Sequence, residues 1–72
     1  MNKEQTKKYV EGRKAYHKFI LDFHTDLINW LGRKESKNEE EIELLKNAVR
    51  SSVRVKGLID RDEQELREIE KL

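Results

Sequence analysis

The stretch KGLIDRDEQEL, residues 56–66, carries oxygen donors at the spacing of the second half of a calcium-binding loop. With Gly57 in the position of the loop's glycine, Asp60 and Glu63 fall at the ninth and twelfth ligand positions. The earlier ligand positions, which must also supply oxygen, hold one serine and two cations: Ser52, Arg54 and Lys56. Because a cation repels a divalent ion and provides no oxygen, the sequence predicts that this stretch binds no calcium.

Two histidines could act as metal ligands. His17 and His24 are seven residues apart, which on one helix separates them by roughly 10.5 Å along the axis. Two histidines that share a metal on one helix are normally four residues apart. We therefore expect both rings to be half-buried beside an apolar face, with no metal between them.

Asp22 and Asp26 form a carboxylate pair four residues apart. Such a pair can perform acid–base catalysis inside a cleft that excludes water. Nothing in the sequence builds such a cleft, and it contains neither a glycine-rich phosphate loop nor a nucleophile-elbow motif. We expect the two aspartates to be solvated, and the chain to be neither an enzyme nor a protein that binds a cofactor.

A row of cations in the second half of the chain offers a different chemistry. Lys46, Arg50 and Arg54 recur every four residues and would share one side of a helix. Such rows contact phosphates when a helix lies along a nucleic acid. Glu43 beside Lys46 weakens the row, and the aromatic residues are not interleaved with it. For these two reasons nucleic-acid binding through the three cations is kept as the alternative function and not as the first one.

The apolar spacing predicts a long first helix. Between Tyr16 and Trp30, apolar residues recur at gaps of four and three, the spacing of a coiled-coil seam. A second apolar row, which includes Val10, Leu21 and Ile28, lies about 100° around the helix. We expect a helix over roughly residues 3–31, with Gly32 as its stop. The face expected to associate comprises Tyr9, Tyr16, Phe19, Ile20, Phe23, Leu27 and Trp30.

A second helix is expected after a polar connection. Two capping boxes could start it, Ser36 with Glu39 or Asn38 with Glu41. The helix is expected to run to about Val55. Its inner face would hold four apolar residues, Ile42, Leu45, Val49 and Val53, and a flanking row would hold Leu44, Ala48 and Val55.

Gly57 weakens this helix, and Asp60 with Glu63 resembles a fresh capping box. The sequence therefore predicts a short third helix over about residues 60–71, with Leu66 and Ile69 facing inward. Continuity of the second and third helices stays open, because a single glycine costs a helix only about 1 kcal/mol.

The stretch GLIDRDE, residues 57–63, and the apolar residues after it resemble the short C-terminal oligomerisation module called SHOCT. That family reads as a helix, a turn of Gly-x-Ile-Thr type, an acidic box and a terminal helix. The resemblance covers about residues 45–72 and implies association between helices rather than chemistry. Gln64 stands where the family has an aromatic residue, and Glu68 where a basic residue is usual.

The composition fits one small helical domain. The chain has 72 residues, of which 43% are charged and 35% hydrophobic, with no proline or cysteine. A single core of this size is marginal, and association is a common remedy where disulfides are impossible. The first half is net positive and the second net negative, so the halves should attract when folded together. We predict an all-α antiparallel hairpin with a short third helix, packed as a homodimeric bundle.

The predicted function is a non-enzymatic interaction module that associates with itself and with another protein, as an adaptor, inhibitor or regulatory subunit. No export signal is visible, and no apolar run is long enough to span a bilayer. The absence of cysteine fits a reducing compartment. We therefore expect a soluble cytoplasmic protein.

Overall fold

The computed structural model describes residues 2–72 as two long helices joined by a short connection. Helix α1 spans Lys3–Gly32 and helix α2 spans Glu39–Glu70. The helices are antiparallel, since Lys7 near the start of α1 pairs with Glu70 at the end of α2 at 2.7 Å. The hairpin is a rod with principal extents of 53 × 16 × 14 Å, and residues 2–72 contain no strand. The predicted all-α hairpin is confirmed.

Local sequence sets the helix boundaries. Asn38 Oδ1 accepts a hydrogen bond from the Glu41 backbone N–H at 2.8 Å, and Glu41 Oε1 accepts one from the Asn38 N–H at 3.2 Å. Asn2 and Gln5 form the same reciprocal box at the start of α1. Each box satisfies backbone donors that a first turn leaves unpaired. Of the two predicted starts for α2, the structure has the Asn38–Glu41 box. The predicted start of α1 is confirmed. Its end lies within one residue of the prediction, but Gly32 is the last residue of the helix rather than its stop, and Arg33 is the C-cap in a helical conformation.

Helix α2 continues without a break through Gly57, so the predicted third helix is not a separate element. Gly57 is exposed and has no positive φ. Its cost of about 1 kcal/mol is offset by the burial of Val55 before it and Ile59 after it, which are 5% and 8% exposed. Asp60, predicted as a helix cap, is an exposed residue inside α2. An unbroken helix keeps both apolar segments packed on α1.

The buried residues of α2 recur every seven positions along the whole helix. They are Ala48, Val55, Asp62 and Ile69, and a second buried row contributes Ser52 and Ile59. A step of seven residues is close to two helical turns, so each row stays on one side. Leu66 is half-buried and Ile69 buried, so both face inward as predicted.

The predicted inner face of α2 is wrong for three of its four residues. Ile42, Val49 and Val53 are 40%, 44% and 65% exposed, and only Leu45 is half-buried. The apolar spacing of the first half of α2 allows either side to face inward. Because α2 is one helix, the side that faces α1 must suit its second half as well.

The side of α1 that faces α2 combines Val10 of the second apolar row with two histidines and Leu31. Val10 and Leu31 are 3% and 0% exposed, and the half-buried His17 and His24 lie between them at seven-residue steps. Ile20 and Leu27 of the predicted seam are half-buried as well. The aromatic residues of that seam are on the surface of the hairpin.

Candidate functional site

Four aromatic side chains form an exposed row along α1. They occur every seven residues, so they share one side of the helix, and we call them the aromatic row: Tyr9, Tyr16, Phe23 and Trp30. Their exposed fractions are between 58% and 63%, and that of the nearby Phe19 is 71%. All five aromatic residues of the chain are therefore exposed on one helix. Of the seven residues predicted to associate, only Ile20 and Leu27 are half-buried in the hairpin.

Contacts of Arg13 fix the edge of the hairpin on which the aromatic row lies. The Arg13 guanidinium is 5.8 Å from the centre of the Tyr9 ring, and its Nη2 donates to Glu65 Oε2 at 2.6 Å. Seven-residue steps from Glu65 along α2 reach Leu58 and Leu44 on the same edge. Leu58 is half-buried and Leu44 is 44% exposed. We call the surface made by the aromatic row, Phe19, Leu44 and Leu58 the aromatic face.

The opposite edge of the hairpin is partly closed by ion pairs. Lys7 Nζ lies 2.7 Å from Glu70 Oε1, and Lys14 Nζ lies 3.5 Å from Glu63 Oε1. Seven-residue steps from Glu63 lead to Val49 and then to Ile42, so these exposed residues lie on this second edge. The ion pairs join the positive half of the chain to the negative half, in agreement with the attraction predicted from the sequence.

A buried polar network joins the helices beneath the aromatic face. Asp62 is 1% exposed. It accepts hydrogen bonds from Arg13 Nε at 2.7 Å and from His17 Nδ1 at 2.6 Å. Burial raises the pKa of Asp62, but the hydrogen bonds from His17 and Arg13 outweigh burial, so the pKa lies below its usual value. Because this carboxylate is out of reach of a substrate, the network positions the helices rather than performing chemistry.

The network was missed from the sequence, although a signal for it was present. Asp62 belongs to the seven-residue row of Ala48, Val55 and Ile69, so an unbroken helix would have placed it in the core. The sequence prediction placed Ala48 and Val55 in a flanking row and Asp62 in a separate third helix, so Asp62 was not assigned to the core. A buried carboxylate requires partners on the facing helix, and Arg13 and His17 supply them.

The cations predicted to bind nucleic acid lie where the sequence placed them. Lys46, Arg50 and Arg54 are exposed on α2. Lys46 Nζ is 3.9 Å from Glu43 Oε1, and the two arginines line a shallow depression together with Asn47 and Ser51. Ser51 is seven residues from both Leu44 and Leu58, so it lies on the edge that carries the aromatic face. Arg54 follows Ser51 by three residues and therefore lies on the solvent side of that edge.

The two histidines and the two aspartates of α1 do not combine into a site. His24 Nδ1 donates to the Ile20 carbonyl at 2.8 Å, whereas His17 is bonded to Asp62. Asp22 and Asp26 are exposed. Among residues 2–72, no group of three or more histidine or acidic side chains has a geometry that could hold a metal ion.

The stretch with calcium-loop spacing is helical throughout. Residues 52–63 all belong to α2, so the chain does not fold around a central point as a calcium loop does. Asp60 points to solvent on one side of α2, and Asp62 is in the core. The turn at Gly57 that the SHOCT resemblance implies is replaced by continuous helix.

No protein-family model, curated protein or solved structure matches this chain. Within residues 2–72, neither helix has an apolar stretch long enough to cross a bilayer.

Proposed function

We propose that the chain is a non-enzymatic helical interaction module, and that the aromatic face is the surface through which it associates with itself. The observation that carries this proposal is the exposure of all five aromatic side chains on one helix, between 58% and 71%. A large exposed apolar patch on a small protein usually marks an interaction site, whereas single exposed apolar residues are normal. Burying an aromatic side chain contributes about 1.5–3 kcal/mol.

The surface area of the single chain supports association. A compact monomer of 8.7 kDa has an accessible surface of roughly 4,700 Å², whereas this chain exposes 5726 Å². The excess is about 1,000 Å², and a stable interface buries about 800 Å² on each partner. A second copy that covers the aromatic face would remove an excess of this size.

Other features of the chain fit the same role. The buried polar network of Asp62, Arg13 and His17 serves the hairpin itself, whereas the aromatic face is exposed. The resemblance of residues 45–72 to an oligomerisation module implies association between helices, although the helix is unbroken at Gly57. We further propose that the module acts in the cytoplasm, which a chain without cysteine suits.

The test is the mass in solution, measured by light scattering coupled to size-exclusion chromatography. The wild-type chain should have twice its own mass of 8.7 kDa. Phe23→Glu should have the monomer mass and unchanged helical circular dichroism, because Phe23 is 61% exposed in the single hairpin. A charge there opposes the burial of the aromatic face but has no effect within one copy.

Val53→Glu is the matched control. Val53 is 65% exposed on α2, and it lies next to Val49 on the side away from the aromatic face. This variant introduces the same charge and should remain a dimer. The proposal is wrong if the wild-type chain is a monomer up to millimolar concentration, or if Phe23→Glu leaves the mass unchanged.

Binding of single-stranded nucleic acid is the second candidate. The observation in its favour is that Arg54 borders the same edge as the exposed aromatic row, since bases stack on aromatic rings while cations hold phosphates. Fluorescence anisotropy with a labelled single-stranded oligonucleotide should then report affinity that falls steeply with salt. The triple variant Lys46→Glu with Arg50→Glu and Arg54→Glu should abolish that binding. Absence of binding at low salt would remove this candidate.

A further inference from the structure

We propose that two copies pack face to face about a two-fold axis parallel to the length of the hairpin. The two connections between helices then lie at the same end of the dimer, and α1 of each copy lies on α2 of the other. This arrangement rests on the proposed self-association and specifies its geometry.

The ion pairs between the helices define which residues lie at the same level of the hairpin. Lys7 pairs with Glu70 and Lys14 with Glu63. Moving seven residues towards the C-terminus of α1 therefore corresponds to moving seven residues towards the N-terminus of α2. Continuing the count places Asp26 level with Ser51, and Arg33 level with Leu44. A two-fold axis along the hairpin keeps every residue at its own level, so the same correspondence applies between copies.

Each helix has a second row beside its row at the edge, on the solvent side, and Phe19 of the aromatic face belongs to the second row of α1. These outer rows are three residues further along each helix than the rows at the edge, which makes them neighbours on the helix surface. The outer row of α1 consists of Gln5, Gly12, Phe19, Asp26 and Arg33. The outer row of α2 consists of Glu40, Asn47, Arg54, Arg61 and Glu68. All ten residues are exposed in the single copy.

The charges of the two outer rows are complementary when α1 of one copy lies on α2 of the other. Asp26 is level with Ser51 of the other copy, and Arg54 is three residues from Ser51. Asp26 and Arg54 are therefore about 4.5 Å apart along the axis. Arg33 is four residues away in level from Glu40, or about 6 Å. Within residues 2–72, none of these four residues forms an ion pair inside one copy, so all four side chains are available to a second copy.

The aromatic residue of the outer row also finds a partner of suitable chemistry. Phe19 lies midway in level between Arg54 and Arg61 of the other copy. A guanidinium group within about 6 Å of a ring face is attracted to it. The same kind of contact already occurs within the hairpin, where Arg13 lies 5.8 Å from the centre of the Tyr9 ring.

The same two faces could also pack about a two-fold axis perpendicular to the length of the hairpin. That axis would place α1 on α1 and α2 on α2. The midpoint of Glu39–Glu70 lies at Arg54 and Val55. With full overlap, Arg54 would therefore meet Arg54 of the other copy, and Arg61 would meet Asn47. No acidic side chain of the outer row opposes either arginine in that arrangement. Since like charges in contact disfavour an interface, the charge pattern selects the axis along the hairpin.

The face is large enough for such a dimer. A rod with extents of 53 × 16 Å presents a side of roughly 800 Å², which matches the area that one partner buries in a stable interface. The dimer would be a four-helix bundle in which every adjacent pair of helices is antiparallel.

Distance measurement by double electron–electron resonance tests the arrangement. The chain contains no cysteine, so Ser36→Cys in the exposed connection allows a single nitroxide label on each copy. Connections at the same end predict a label separation of about 20–35 Å, since packed helices are about 10 Å apart. A separation near the rod length of 53 Å would refute the arrangement while leaving self-association intact. Absence of any dipolar signal at millimolar protein would refute self-association itself.

A charge exchange tests the contact between α1 and α2 of different copies. Asp26→Arg alone and Arg54→Asp alone should each raise the dissociation constant of the dimer about tenfold, because each contact occurs twice in a two-fold dimer. The double variant should recover the wild-type dissociation constant to within about threefold. Glu11→Arg, an exposed change on the other side of α1, should have less than a twofold effect. Additive weakening in the double variant would place Asp26 and Arg54 apart and overturn the arrangement.

Discussion

Arg13 donates a hydrogen bond from Nε to Oδ1 of Asp62 at 2.7 Å, which joins the first half of α1 to the second half of α2. His17 holds the other oxygen of the same carboxylate at 2.6 Å. A buried carboxylate bonded to two residues one helical turn apart tolerates no sliding of one helix along the other. The network therefore fixes the register of the hairpin and the side of α1 that faces α2. The aromatic row lies outside that side and is exposed.

Replacing Asp62 should destabilise the fold. Asp62→Ala leaves Arg13 and His17 without their shared acceptor, and we expect it to lower the free energy of unfolding by about 2–3 kcal/mol. Urea denaturation followed by circular dichroism, at one fixed protein concentration, measures the loss. Asp60→Ala is the matched control, since Asp60 is exposed two residues away, and it should change stability by less than about 0.5 kcal/mol. Equal effects of the two variants would contradict the burial of Asp62.

Acid should weaken the fold through the same carboxylate. The pKa of Asp62 is lowered in the folded state, so the unfolded chain binds more protons as the pH falls through the acidic range. The contribution of Asp62 is thus fully present above its unfolded pKa of about 4 and is lost as the pH falls through its lower folded pKa. Hydrogen bonds from Lys34 and Lys7 lower the pKa values of Glu41 and Glu70, which act in the same direction.

Urea unfolding at pH 6 and at pH 3 checks this dependence. The wild-type chain should lose stability between the two values, and Asp62→Asn should lose less, because the variant has no carboxylate at this position. If wild type and variant lose the same amount, the titration that matters lies elsewhere in the chain.

Gly57→Ala should stabilise the protein. Gly57 is inside α2, it has no positive φ, and a methyl group there would meet nothing within 4 Å. Alanine favours a helix interior over glycine by about 0.5–1 kcal/mol, so the melting temperature should rise by several degrees. A fall in melting temperature would indicate a turn at Gly57 and two separate helices, as the local sequence first suggested.

The start of α2 can be tested with a pair of alanine variants. Asn38→Ala removes the side chain that accepts a hydrogen bond from the Glu41 N–H at 2.8 Å, and it should cost about 1 kcal/mol. Ser36→Ala should have almost no effect, because Ser36 is an exposed residue of the connection. Thermal melts of both variants distinguish the two capping boxes, and the reverse order of effects would move the helix start to Ser36.

Local sequence was sufficient to predict an antiparallel helical hairpin, although it also predicted a separate third helix that the structure does not have. The cap at Asn38 depends on groups within a few residues of the helix boundary, so it can be recognised without the rest of the fold. The opposite net charges of the two halves predicted attraction, and pairs such as Lys14 with Glu63 realise it. The sequence also identified the cations Lys46, Arg50 and Arg54 as an exposed row.

Only the tertiary structure decided which side of each helix is buried. Helix α1 has two apolar rows, and its local pattern favours neither because both satisfy helical spacing. The choice depends on the facing surface of α2, which buries the small residues Ala48 and Ser52 in its first half and Asp62 in its second half. That carboxylate requires Arg13 and His17 opposite it, and meeting this requirement turns Phe23 and Trp30 to solvent. The spacing along α1 identified the aromatic residues as a face expected to associate. It could not show that the hairpin leaves them exposed, because a buried charge is stabilised by partners distant in sequence.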